Sequence, residues 1–197
     1  MKYTCSTCNK HHEDVKNYVC SNCGFVNPLP TNTNYFTYFN MPCSFTMDIN
    51  NLNSLYQELV MVYHPDNHVM GTENAKLHAL AHSAYLNEGF NVLANNLQRF
   101  AYYFELVNNK PIIGEEILHD ASVSMEFFSI YEKLDSLNTM EELQDLLVEL
   151  QAKEQELLQQ VEELDFNNQV VAKKLYILLN YVYKIQQQLQ TKKRLMV

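Results

Sequence analysis

Apolar residues recur at helical spacing along most of this chain, and the interruptions between the runs mark out its elements. Ile49, Leu52, Tyr56, Leu59 and Tyr63 fall three or four apart, one stripe of a buried helix, with Asp48 placed as its N-cap. Pro65 stops that helix, because its ring disfavours helical geometry at His64 and removes a backbone donor. His64 and Asp66 are therefore expected in an exposed loop. A second helical stretch runs through residues 72–106, with Leu86, Phe90, Leu93 and Leu97 on its buried side. The two stretches predict an antiparallel hairpin with a polar tip, its apolar side capped by Tyr35, Phe36, Phe39 and Met41.

The pattern lapses at residues 108–114, NNKPIIG, and resumes beyond. One predicted helix carries Met125, Phe128, Tyr131 and Leu134 on its stripe. A second carries Leu143, Leu147, Leu150, Leu157, Val161 and Leu164, and a third Leu175, Leu178, Val182, Ile185 and Leu189. Asn138 with Thr139, and Asn167 with Asn168, break what would otherwise compete as one uninterrupted coiled coil, so a three-helix C-terminal bundle is predicted. Between residues 115 and 165 fifteen acidic residues face two basic ones, Lys133 and Lys153, which gives this region a composition of its own.

With 197 residues the chain has room for more than one module. It has no Trp, little Gly or Pro, and no apolar run of the roughly 18 residues needed to span a bilayer, so a soluble, mainly α protein with no membrane partner is expected. The first cysteine stands at position 5, so neither a signal peptide nor an Arg-rich presequence is expected. A cytoplasmic location follows as the expectation, with the mitochondrial matrix as the alternative. The net charge of −9, with only Lys192, Lys193 and Arg194 clustered, argues against a nucleic-acid partner.

Cys5, Cys8, Cys20 and Cys23 spell C-x-x-C, eleven residues, C-x-x-C, with Gly24 after the second pair. Two residues between ligands let both thiolates of a turn point at one ion, and two such turns close a tetrahedron, so one structural zinc ion is predicted. Disulfides suit an oxidising compartment better than the one expected here, and a redox C-x-x-C lacks its surrounding βαβ pattern. Loss of zinc is expected to melt this N-terminal module alone. Cys43 is left over as buried filler, His11 and His12 as surface residues, and His78 and His82 as exposed helix histidines one turn apart. The predicted modules are residues 1–27 around the metal, an extended linker at 28–33, a helical domain at 34–109 and the bundle at 114–197.

His64, Pro65 and Asp66, the SAYLNEGF segment at residues 83–90, and Arg99 with Ala101 and Tyr102 together resemble a J-domain. A tetracysteine module, then a J-domain, then a small helical bundle, with similarity around YFTYF and HDASVSMEFF, resembles the HscB co-chaperones of iron-sulfur cluster biogenesis in their form with an N-terminal cysteine extension. The resemblance implies a chaperone-docking site at His64, Pro65 and Asp66, which stimulates the ATPase of a seventy-kilodalton heat-shock-type chaperone, HscA-like or DnaK-like. It also implies that the bundle presents an IscU-type scaffold through Ser124, Met125, Phe128, Glu132 and Ile177, with Glu126 as a flanking charge.

Two positions depart from that pattern. Ser124 replaces the family's leucine, and residues 48–63 carry no Lys or Arg where J-domains usually present basic residues, while Asn67 replaces the usual lysine after the tripeptide. Weak electrostatic steering toward the chaperone is expected. The alternatives are a general J-domain co-chaperone with another client and a zinc-dependent interaction protein, as a monomer or weak homodimer. An enzyme is not expected: no nucleophile stands with a base, and no glycine-rich phosphate loop or open metal site is visible.

Overall fold

A computed structural model describes residues 2–13, 16–68, 71–112 and 121–195. The chain divides into two compact units, residues 1–99 and 100–197. The division falls inside a helix, at Arg99 and Phe100, and not in the 108–114 segment. Among the described residues no helix is long and apolar enough to cross a membrane.

The first unit opens with β1 (Tyr3–Thr4) and β2 (His11–His12), paired antiparallel with Tyr3 opposite His12. After a short helix, α1 (Tyr35–Tyr38), come α2 (Ile49–Tyr63), a 3-10 turn (Pro65–His68) and α3 (Glu73–Ala94). Asp48 caps α2 as predicted, its carboxylate accepting from the amides of Asn50 and Asn51. Tyr56 stacks on Phe90 at 4.0 Å and Tyr63 on His82 at 4.4 Å, which places α2 and α3 antiparallel. The buried face of α3 is Ala75, Ala79, His82, Leu86, Gly89 and Leu93. Gly89 is needed there because a Cβ would lie 2.7 Å from the Tyr35 ring, so its bare backbone is what lets α1 close on the hairpin.

The long second helical stretch breaks at Asn95, and α4 (Asn96–Asn108) begins there. The break exposes the end carbonyls of α3, and the buried Arg99 answers them. Its guanidinium donates to the carbonyls of Leu93 and Phe45 and to Asn96 Oδ1, and lies 4.9 Å over the Phe45 ring.

Within the first unit, residues 16–27 pack against the helical hairpin. Asn27 is buried, and the hydrogen bonds of this segment run directly to α2 and α3. Tyr85 also donates to the Thr33 carbonyl at 2.7 Å, which pins the far end of the supposed linker. Cys43 is exposed, not core filler.

In the second unit Phe100 and Phe104 of α4 are fully buried, Phe100 meeting Phe166 and Tyr176 edge-on. The predicted bundle follows as α5 (Ala121–Ser136), α6 (Met140–Glu162) and α7 (Gln169–Leu195). Thr139 and Glu142 form a capping box that starts α6 where the Asn138–Thr139 break was read. The predicted stripes on α6 and α7 are buried, except for Leu164, which is half-buried beyond the end of α6. On α5 the predicted stripe holds at Leu134 and fails at Phe128: Phe127 is fully buried and stacks on Tyr181, whereas Phe128 is 63% exposed.

Candidate functional site

Two turns of the same design gather the four cysteines. In the first, Asn9 N–H donates to Cys5 O and Cys5 N–H to Lys10 O; in the second, Gly24 N–H donates to Cys20 O and Cys20 N–H to Phe25 O. The residue after each second cysteine turns left-handed, Asn9 at φ 56° and Gly24 at φ 72°, which suits the two residue types found there. The four sulfurs all lie within 4.8 Å of one another, with Cys5 to Cys23 at 3.7 Å and Cys8 to Cys20 at 3.6 Å. Zinc–sulfur bonds of about 2.3 Å in a tetrahedron put sulfurs about 3.8 Å apart, whereas a disulfide needs about 2.05 Å. These residues therefore fit a metal ion and are not bonded to one another.

The electrostatics agree with the geometry. The Lys10 amide and the Asn22 side chain hold the Cys8 thiol down at about 6. The Phe25 amide also favours the Cys23 thiolate, yet desolvation and the sulfurs of Cys20, Cys8 and Cys5 outweigh it and push Cys23 up to about 12. Four thiolates this close repel one another, so holding all four charged requires a cation. Cys5 and Cys20 are buried, Cys8 is half-buried and Cys23 is exposed. His12, expected at the surface, is buried: its Nε2 lies 3.2 Å from Cys20 Sγ and its ring stacks on Tyr3. It sits beside the ligand set as a neighbour of one sulfur.

The two helix histidines are not exposed either. His82 is fully buried, and because its Nε2 faces the Asn27 carbonyl at 2.9 Å, that nitrogen carries the proton. Nδ1 then accepts from the Tyr38 hydroxyl at 2.8 Å. With both nitrogens satisfied in the neutral ring, burial drives the His82 pKa down to about 4. His78, half-buried, donates from Nδ1 to the Val26 carbonyl at 2.8 Å.

The second feature is the tip of the hairpin. Helix α2 ends at Tyr63, and His64 takes the extended backbone, φ −59° and ψ 129°, that a following proline demands. Pro65 has no N–H for the Met61 carbonyl four residues back, and the Asp66 N–H turns to His64 Nδ1 at 3.3 Å instead of to Val62. Side chains replace both lost donors. Asn67 Nδ2 donates to Met61 O, and His68 Nε2 donates to Val62 O at 2.8 Å. Asn67, which stands where J-domains usually carry a lysine, thus closes the helix end. The His64 and Asp66 side chains remain 52% and 85% exposed. On the outward face of α2 the cation that the helix lacks comes from elsewhere in the same unit: Lys16 Nζ lies 3.7 Å from Glu58 Oε2.

On the bundle, Phe128 and Glu132 are exposed and Ile177 is half-buried. Ser124, Met125 and Glu126 belong to α5, and their side chains lie outside the described residues. The structure thus brings the four cysteines to one point and His64 and Asp66 to one tip. The burial of His12 and His82 and the half-burial of His78 were missed. Counting back from Leu86 by fours and threes reaches His82, Ala79 and Ala75, which was the available signal.

No family model matches the chain. It is similar to the "Co-chaperone protein HscB" of Proteus mirabilis, 29% identical over 119 residues, which are 60% of this chain and 69% of that protein. It is also similar to the protein of the same name in Buchnera aphidicola, 34% identical over 105 residues, 53% of this chain and 60% of that one. The second of these matches spans less than two thirds of its relative. Among solved structures, human co-chaperone protein HscB has a TM-score of 0.83 at 21% identity, covering 97% of this chain and 98% of that one. Chaperone HscB from Vibrio cholerae has a TM-score of 0.73 at 23% identity, covering 84% and 100%. The fold is the one those two structures have, and the resemblance read from the sequence is borne out.

Proposed function

We propose that this relative of the HscB co-chaperones is itself a J-domain co-chaperone of iron-sulfur cluster assembly, which stimulates the ATPase of a seventy-kilodalton heat-shock-type chaperone and presents to it an IscU-type scaffold. The observation that carries the reading is the tip: a histidine and an aspartate left exposed on a turn whose own hydrogen bonds are closed by Asn67 and His68. A tip that satisfies its backbone internally leaves its two functional side chains free for a partner.

Asp66 accepts charge-assisted hydrogen bonds from an arginine of the chaperone, and His64, its Nδ1 occupied by the Asp66 amide, offers Nε2–H beside it. Neither residue hydrolyses ATP. Docking favours the hydrolysis-competent arrangement of the partner, a shift supplied by differential binding. The scaffold docks on α5 and α7 of the bundle, where Phe128 is the anchor, Glu132 and Ile177 contribute, and Ser124, Met125 and Glu126 lie on the same helix. An exposed phenylalanine beside a core phenylalanine supports this, since buried aromatics commonly dominate interfaces. Zinc at Cys5, Cys8, Cys20 and Cys23 serves structure, because four protein ligands leave no open position for chemistry.

The test is a steady-state ATPase assay of the chaperone with and without the scaffold. The two together give more than additive stimulation. His64→Gln abolishes stimulation while circular dichroism is unchanged, and Phe128→Ala removes the scaffold's contribution and spares the rest. Full stimulation by His64→Gln would sink the docking assignment, and loss of helix in Phe128→Ala would return that residue to the core.

A further inference from the structure

We infer that the second cysteine knuckle couples metal binding to the placement of the His64 tip, with Tyr63 and His82 as its positioning residues. The knuckle is one short hairpin, residues 18–27. Its tip carries Cys20 and Cys23 toward the other two sulfurs, and its base is closed by the Val19–Val26 bridge and by Asn27 N–H donating to Tyr18 O at 2.9 Å. The same base supplies the contacts to the helical hairpin. Tyr18 N–H donates to the Tyr63 hydroxyl at 2.8 Å, His78 donates to Val26 O, and His82 donates to Asn27 O. Tyr18 also stacks on His82 at 5.3 Å, and His82 on Tyr63 at 4.4 Å. Tyr63 is the last residue of α2 and precedes His64 directly.

A two-stranded hairpin of this size is marginal alone in water, so a metal that ties its tip to Cys5 and Cys8 also holds its base in shape. The base in turn gives the Tyr63 hydroxyl, which also meets the Tyr38 side chain, its backbone donor, and gives His82 Nε2 the acceptor without which that buried donor would be unpaired. Coupling of this kind is reciprocal: if metal steadies the end of α2, then loosening the Tyr63 contact must weaken the metal. The expectation that zinc loss melts the N-terminal residues alone is replaced by one in which the end of α2 loosens with them. The inference rests on the metal reading of the cysteines and is independent of the chaperone partner.

The experiment titrates Zn²⁺ into the full chain against a chromophoric chelator, and follows amide exchange at residues 59–68 with and without zinc. Tyr63→Phe keeps the ring and removes the acceptor. Its zinc affinity falls roughly five- to tenfold, the effect of one lost buried hydrogen bond. Tyr56→Phe is the control: it deletes a hydroxyl on the same helix that bonds to Asn87 Oδ1 at 2.9 Å and does not touch the knuckle, so zinc affinity is unchanged. In the wild-type chain zinc slows exchange at 59–68, and in Tyr63→Phe it does so less. Equal zinc affinity in Tyr63→Phe and Tyr56→Phe, or exchange at 59–68 indifferent to zinc, overturns the coupling. A wild-type chain that fails to bind zinc overturns the metal reading itself, a different result. Should Tyr63→Phe not fold, His78→Ala removes the bond to Val26 on the other arm and is read in the same way.

Discussion

Around His82 the core of residues 1–99 is built from rings joined by hydrogen bonds, whereas around Leu150 the core of residues 100–197 is largely a lattice of leucines with valine and isoleucine. In the first, Tyr18, Tyr38, Tyr63 and His82 stack on one another, and donor and acceptor must match at each polar atom. In the second, Leu143, Leu150, Leu157, Leu179, Val182 and Ile185 are all at most 1% exposed and ask only for volume. A polar core fixes which surfaces meet, and it answers to pH and to single atoms. An aliphatic core tolerates both and answers to cavities.

The largest effect belongs to the aliphatic side. Leu150→Ala opens a cavity in a fully buried layer of α6 and costs about 3 kcal/mol, the same at pH 7 and pH 5, in urea unfolding followed by circular dichroism. A cost that changed with pH would break the contrast.

Acid acts on the other side. His82 titrates near 4 in the folded chain and near the ordinary 6.5 when unfolded, so between those values the unfolded chain binds the extra proton. Stability that is complete above about pH 6.5 therefore falls as pH drops toward 4, by on the order of 3 kcal/mol. The described part of residues 100–197 contains no histidine, and its perturbed carboxylates, Glu142 and Asp165, are lowered by amide hydrogen bonds, so they lose stability only at still lower pH. Tyrosine chemical shifts recorded from pH 7 to 4.5 with zinc in excess are expected to move for Tyr38 and Tyr63 before Tyr183. The reverse order would reject the assignment.

Two smaller changes sharpen the comparison. Gly89→Ala gains about 1 kcal/mol in helix propensity, yet the new methyl meets Tyr35 at 2.7 Å and Phe39 at 3.2 Å, and overpacking costs about 1–3 kcal/mol. The net loss is about 1 kcal/mol by thermal unfolding, and a gain would mean that α1 simply moves aside. Thr139→Ala removes one half of the capping box and costs about 0.5–1 kcal/mol, read as a small fall in the urea midpoint.

The same contrast explains what could be read from the residues. The bundle was legible because Leu143 to Val161 and Leu175 to Leu189 repeat without ambiguity and the breaks carry cap residues. Phe127 and Phe128 stand side by side, so spacing alone did not choose between them; Leu134 and the Tyr181 ring decide for Phe127. The cysteines and the tripeptide were legible because their spacing is local. The buried histidines were not, since the face of α3 that contains His82 is otherwise made largely of Ala75, Ala79 and Gly89, which carry little hydrophobic signal. The partners of His78 and His82 lie more than fifty residues away, at Val26 and Asn27.

Asn27 has a practical consequence for anyone who dissects this chain. Its side chain accepts from the Ser6 amide and donates to the Tyr18 carbonyl, while its own carbonyl receives His82. A cut between residues 27 and 28, where composition suggests a domain edge, would strip Tyr18 and Asn27 from the faces of Tyr38, Tyr63 and His82. The excised fragment would display a sticky aromatic wall next to the turn that carries His64 and Asp66, and its behaviour in solution would report that wound and not the intact protein.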